Sequence, residues 1–96
     1  NVSIVDNAGN SLLILAAMRN DFELIKIFVE KGADVNATAP EKSTALMMAA
    51  NHGNYEAVKL LLAKGADKTK KNNDNKTALD YAREKNHLKI AALLSS

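Results

Sequence analysis

Two histidines, His52 and His87, and a scatter of carboxylates, Asp74, Asp80 and Glu84, are the residues of this 96-residue chain whose types could support chemistry. Histidine titrates near neutral pH and serves as a general base or a metal ligand. Either role needs a second ligand, or an acid that orients the ring, at a fixed spacing. Neither histidine has such a companion in the sequence. Both fall at helix ends, where a surface or capping role is the simpler reading. A carboxylate pair working as acid and base needs a cleft, and so short a chain offers only a shallow groove. There is no glycine-rich phosphate loop and no G-x-S-x-G elbow. With no cysteine, disulfides and cysteine-ligated zinc are excluded. No catalytic, cofactor-binding or metal-binding residue is assigned.

Asp34 and Asp67 raise a different question. They stand in "GADVNA" at 32–37 and "GADKTK" at 65–70, 33 residues apart. Aspartate after a glycine makes turns by bonding its own backbone two residues on. The flanks repeat as well. At the same offset Leu13, Ala16 and Ala17 meet Leu46, Ala49 and Ala50, and Glu23, Lys26 and Lys31 meet Glu56, Lys59 and Lys64. One period further, Thr44, Ala45 and Leu46 meet Thr77, Ala78 and Leu79, and Leu60 and Leu61 meet Leu93 and Leu94. A fixed period of this size is the mark of stacked repeats.

Each unit can be read from its residues. Ser11, Thr44 and Thr77 stand where a helix N-cap is needed, ahead of a short Leu- and Ala-rich helix. A second helix follows, expected at Phe22–Lys31, Tyr55–Lys64 and about Leu88–Leu94. Leu24, Ile25 and Phe28, and Val58, Leu61 and Leu62, recur there at helical period. Gly32 and Gly65 sit where a helix ends in the left-handed region. No single helix pair can bury its apolar side alone, so stability is a sum over units and their interfaces.

The pattern resembles the ankyrin repeat, in which a unit reads roughly D-x-x-G-x-T-P-L-H-x-A-A, then an amphipathic helix ending L-L-L, then G-A-D-V-N-A. "DNAGNSLLILAAMRNDFELIKIFVEKGADVNAT" is the first unit here. The resemblance implies an all-α solenoid of stacked helix-turn-helix units with β-hairpin-like connecting loops. The units are 6–38, 39–71 and a C-terminal capping repeat at 72–96, with 1–5 as the tail of a preceding unit. "SLLILAAM" reads like an interior helix and "NVS" at 1–3 aligns with "DVN" at 34–36, so a longer array is expected.

Some positions depart from the family pattern. Leu12, Ala45 and Ala78 replace its proline, and the helix survives because alanine and leucine are good helix formers. Ile14, Met47 and Asp80 replace its histidine, so the loop tethers that this histidine makes should be missing. Lys42 and Asn75 replace the hairpin-tip glycine kept at Gly9. Lysine enters the left-handed region reluctantly, so an irregular loop is expected around Pro40. Arg83 and Ser95 put polarity where earlier units are apolar, as a C-terminal cap requires.

Composition bounds the rest. Apolar residues are 47%, charged 25% and aromatic 4%, as for a globular chain with an aliphatic core. The longest apolar run, Leu12 to Met18, is far below the roughly 20 residues that span a bilayer. No membrane insertion is expected, and a soluble, cytoplasmic protein is the default. Residues 59–96 hold nine basic and four acidic side chains, net +5, against four and seven, net −3, in 1–58. Much of the excess lies in "KTKKNNDNK" at 68–76, a solvated loop that could also steer an acidic partner. Nucleic acid is not expected, because no aromatics interleave with the lysines.

The ankyrin resemblance implies binding of another protein through loop tips and first helices, without catalysis. The matching positions are Asn7, Ala8, Asn10, Met18 and Arg19 in the first unit. In the second they are Pro40, Glu41, Ser43, Asn51 and His52, and in the third Asn73, Asp74, Lys76, Glu84 and Lys85. One residue of the Met47–Met48 pair is expected in the core and the other in the groove, as an adaptable contact. The expected partner is another protein, and an acidic patch on it would face the Lys68–Lys76 loop. The chain is expected to be a monomer, with weak self-association through its N-terminal face. The alternative is a structural spacer or regulatory segment of a longer multidomain protein.

Overall fold

A computed structural model describes residues 12–95, and within them the backbone repeats with the period of the sequence. Six helices follow in order: α1 Leu12–Met18, α2 Phe22–Glu30, α3 Ala45–His52, α4 Tyr55–Ala63, α5 Ala78–Glu84 and α6 Leu88–Ser95. Each α1/α2-type pair is an antiparallel hairpin. The first helices pack in one row, α1 on α3 on α5, and the second helices in another, α2 on α4 on α6. The result is a two-layer stack with extents of 33 × 25 × 20 Å.

The helix starts are local chemistry. Thr44 Oγ1 accepts the Met47 N–H at 3.3 Å, while the Thr44 N–H donates to Met47 Sδ at 3.4 Å. Thr77 and Asp80 close the same reciprocal box at 3.2 and 2.9 Å, with a carboxylate in place of the sulfur. Each box satisfies two of the N–H groups that a helix start leaves unpaired. Asp21 and Asn54 start the second helices by accepting the N–H of the third residue on, Leu24 and Ala57. Ser11 lies outside the described residues, as do 1–5 and the groove positions Asn7, Ala8 and Asn10.

The helix ends repeat too. Asn20, Gly53 and Asn86, spaced by 33, all take the left-handed conformation, with φ 56, 77 and 60°. Lys31 and Lys64 are C-caps one residue past the helices rather than their last residues. Beyond them the Asp34 carboxylate accepts the Asn36 N–H, and that of Asp67 the Thr69 N–H, each at 2.9 Å. These are the two-residue turns expected of aspartate there.

One expectation fails. The loop around Pro40 is regular. Ala39 N–H donates to Ser43 O and Lys42 N–H to Ala39 O, at 2.9 and 2.8 Å. The third unit repeats both bonds, from Asn72 to Lys76 and from Asn75 to Asn72. Lys42 adopts φ 68° all the same, close to the 62° of Asn75. Left-handed backbone costs a non-glycine residue on the order of 1 kcal/mol, and two backbone hydrogen bonds suffice to hold it. A single antiparallel bridge, Thr38 to Thr44, is all the β-structure among the described residues.

The core lies between the layers. It runs from Leu13, Ala17 and Ile25 through Leu46, Ala50, Val58 and Leu61 to Ala82, Ile90 and Leu94, all buried. Alanines at 16, 17, 49, 50 and 82 are buried to within 1%. They let the first helices approach one another closely. Arg83, in the column of buried Ala17 and Ala50, is exposed, and so is Ser95.

Candidate functional site

The second-unit loop and the first helices α3 and α5 meet at a cleft of about 200 Å³, lined by Glu41, Ser43, Met47, Met48, Asn51 and Tyr81. The second-unit loop supplies Glu41 and Ser43, α3 supplies Met47, Met48 and Asn51, and α5 supplies Tyr81 across the seam. Met47 is 2% exposed and belongs to the core, whereas Met48 is half-buried and borders the cleft. A flexible, polarizable thioether there suits an apolar contact of variable shape.

The third-unit loop is built around Asn72, which is buried. Its carbonyl oxygen accepts the N–H groups of Asp74 and Lys76 at 2.9 and 3.1 Å. Its amide donates to the Tyr81 hydroxyl at 2.6 Å. Asn73 N–H crosses to the Glu41 carbonyl at 2.9 Å, tying the two loop tips together. Lys76 Nζ lies 2.9 Å from Glu84 Oε2 and 5.5 Å from the centre of the Tyr81 ring. The Glu84 carboxylate raises the Lys76 ammonium above the usual lysine range. The pair is exposed and adds little to stability, but it sets a lysine over the aromatic face.

Both histidines tie one unit to the unit before it. His52 Nε2 lies 3.0 Å from the Met18 carbonyl, and His87 Nε2 lies 3.2 Å from the Asn51 carbonyl. Facing an acceptor, each Nε2 carries the proton and donates. The accepting carbonyls close the last turns of α1 and α3, where helix carbonyls lack an internal partner. The Met47 and Asp80 side chains turn back on the Thr44 and Thr77 N–H groups, and these two later histidines bridge the units from other columns. Asn54 Nδ2 adds a bond to Asn20 Oδ1 at 3.0 Å across the first seam. On the loop side, Asn36 Nδ2 donates to Gly65 O and its Oδ1 accepts Asp67 N–H, at 3.1 and 2.7 Å.

The structure thus brings Glu41, Ser43 and Asn51 to the cleft wall and sets Asn73, Asp74, Lys76 and Glu84 in or beside the adjoining loop. His52 and Met18 are joined through the imidazole, and Lys85 is exposed just past α5. Arg19 goes elsewhere. It lines a separate hollow of about 210 Å³ with Leu12, Leu15, Ala16, Leu24 and Phe28, between α1 and α2. Sequence reasoning missed Tyr81 and Asn72. The signal for Asn72 was its place in the column of Asp6, which opens a unit with a short acceptor side chain. Tyr81 shares the column of Met48, already singled out. Among the described residues no three His, Asp or Glu side chains converge as a metal site would need. None of their helices is long and apolar enough to cross a membrane.

Residues 13–96 match the family model described as ankyrin repeats, in three copies. The chain belongs to the ankyrin-repeat family. No curated protein matches the sequence. Ankyrin repeats generally serve as protein–protein interaction modules, and the family is typically non-enzymatic. In this ankyrin-repeat chain the helix starts and the left-handed turns recur at the 33-residue period, and the cleft straddles the seam between the second and third repeats.

Proposed function

We propose that this chain binds a partner protein through its concave face, with the cleft of Glu41, Ser43, Met48, Asn51 and Tyr81 as the central contact. The observation that carries the reading is the cleft itself. It sets Met48 and Tyr81 beside the polar Glu41, Ser43 and Asn51, and tyrosine is enriched among interface hot spots. Asn73, Asp74, Lys76, Glu84 and Lys85 form its rim on the third repeat, and His52 and Met18 extend it toward the first. The lysine loop at 68–76 then steers an acidic patch of the partner and sets the association rate. No catalytic step is assigned.

The test is a pull-down to obtain a partner, followed by kinetics on folded variants. Asn51→Ala and Tyr81→Phe should mainly speed dissociation. Lys71→Ala should mainly slow association and flatten its salt dependence. Lys26→Ala and Glu30→Ala, on the outer side of α2, should leave both rates unchanged. Binding that survives the cleft changes and is lost with the α2 changes would assign the wrong face.

A further inference from the structure

The outer side of the array, away from the cleft, changes character along its length. There α2, α4 and α6 lie side by side, and three sequence columns recur on them. The column 22/55/88 reads Phe, Tyr, Leu; 23/56/89 reads Glu, Glu, Lys; and 26/59/92 reads Lys, Lys, Ala. Between α4 and α6 lie two adjoining hollows. One, of about 540 Å³, is lined by Tyr55, Lys89, Ala92 and Leu93. The other, of about 230 Å³, is lined by Gly53, Tyr55, His87, Leu88, Lys89 and Ile90. Tyr55 and Lys89 border both. Leu88 is 70% exposed, well above Met18, Ile27 and Tyr55, the other large apolar residues at the described surface.

Two departures from the repeat converge on this furrow. Ala92 stands where the earlier units carry a lysine, which removes a long side chain. Lys89 stands where they carry a glutamate, which reverses the charge. By the same repeat, the α2–α4 furrow carries Glu56 and Lys59 at these positions. A solubilising cap accounts for the lysine but not for an exposed leucine beside an opened furrow. The furrow thus sets the exposed Tyr55 and Leu88 beside a lysine that replaces the glutamate of the earlier units.

We propose that the α4–α6 furrow is a second docking site, for an acidic segment of a partner protein. An apolar side chain of that segment sits among Tyr55, Leu88 and Ala92, and its carboxylates face Lys89. The site is on a different side from the cleft, so its failure leaves the concave-face reading standing, and the reverse.

The probe is a fluorescein-labelled hexapeptide with Leu-Phe at its centre and two glutamates on each side, titrated against the chain by fluorescence anisotropy. Saturable binding is expected, weakened about tenfold or more by Lys89→Glu and by Ala92→Glu, which fills the furrow and repels the glutamates. Asn51→Ala should leave it unchanged. Residues 89 and 92 are exposed, so both variants should keep the wild-type melting midpoint by circular dichroism. A peptide with serines for Leu-Phe should bind at least about tenfold more weakly, because the apolar anchor is gone. The proposal is overturned by no saturable binding, by equal binding of the serine peptide, or by loss with Asn51→Ala. It is also overturned if Ala92→Glu binds as the wild type does. A dimer in sedimentation velocity that Leu88→Glu dissociates would make the furrow a self-interface and overturn it too.

Discussion

Gly53 carries two constraints at once. Its φ of 77° favours glycine, and a Cβ there would come within 2.6 Å of the His87 ring. That ring is fixed by its bond to the Asn51 carbonyl. Gly65 shares the backbone constraint, with φ 94°, but a Cβ there would meet open space. Gly65→Ala should therefore cost about 1 kcal/mol, the backbone penalty alone. Gly53→Ala should cost more, because the imidazole must move off its carbonyl, and urea unfolding of the two variants measures the difference. Asp67 offers a titration test at the same scale. The Thr69 hydroxyl and N–H both donate to its carboxylate and lower its pKa. A lowered folded-state pKa contributes stability that is present above the unfolded value and lost as pH falls through the folded one. Carboxyl titration by NMR should show the Asp67 pKa rising toward the ordinary aspartate range in Thr69→Val, which removes the larger of the two donors. An unchanged pKa would mean that the hydroxyl bond is not the cause.

At the scale of the element, the first helices α3 and α5 begin with the same device made from different atoms. Thr44 pairs with a thioether and Thr77 with a carboxylate. A hydrogen bond to a charged acceptor is stronger than one to sulfur. Thr44→Ala and Thr77→Ala should each cost about 1 kcal/mol through the lost cap. Met47→Leu keeps the buried volume and removes only the sulfur's share of the box, so it should cost less than about 1.5 kcal/mol. Chemical denaturation of all three gives the comparison. The threonines were legible as caps from sequence because a cap is a contact across three residues. That Met47 and Asp80 would complete the boxes was not legible. Their column was read for the family's histidine, and a methionine sulfur is a weak acceptor that packing must first bring into place.

At the scale of the molecule, the middle repeat holds the array together. The helix α3 packs on both α1 and α5, and α4 on both α2 and α6. Leu46 is 1% exposed at the centre of this arrangement. Leu46→Ala should cost about 2–5 kcal/mol, as cavities in a tight aliphatic core do. Because stability is a sum of units and interfaces, that loss should fall on all three repeats together. Hydrogen exchange should then speed in α1 and α5 as well as in α3. Protection lost in α3 alone would mean that the repeats unfold independently.

By itself the sequence determined the period, the helix-turn-helix units, the positions of caps and turns, and the family. Each of these rests on contacts within a few residues or on recurrence at 33, and both can be read along a chain. The turn roles of Asp34 and Asp67, and the entry of one methionine of the 47–48 pair into the core, were legible for that reason. Only the tertiary structure decided what faces what across a seam. It placed Tyr81 opposite Met48, Asn72 under the Tyr81 hydroxyl and Arg19 away from the cleft, and it fixed both histidines on carbonyls of the preceding unit. It also held Lys42 in a left-handed turn that the residue by itself disfavours. These contacts depend on how one repeat is rotated and shifted against the next. That register is set by the summed packing of alanines and leucines along the whole interface, and no single residue encodes it.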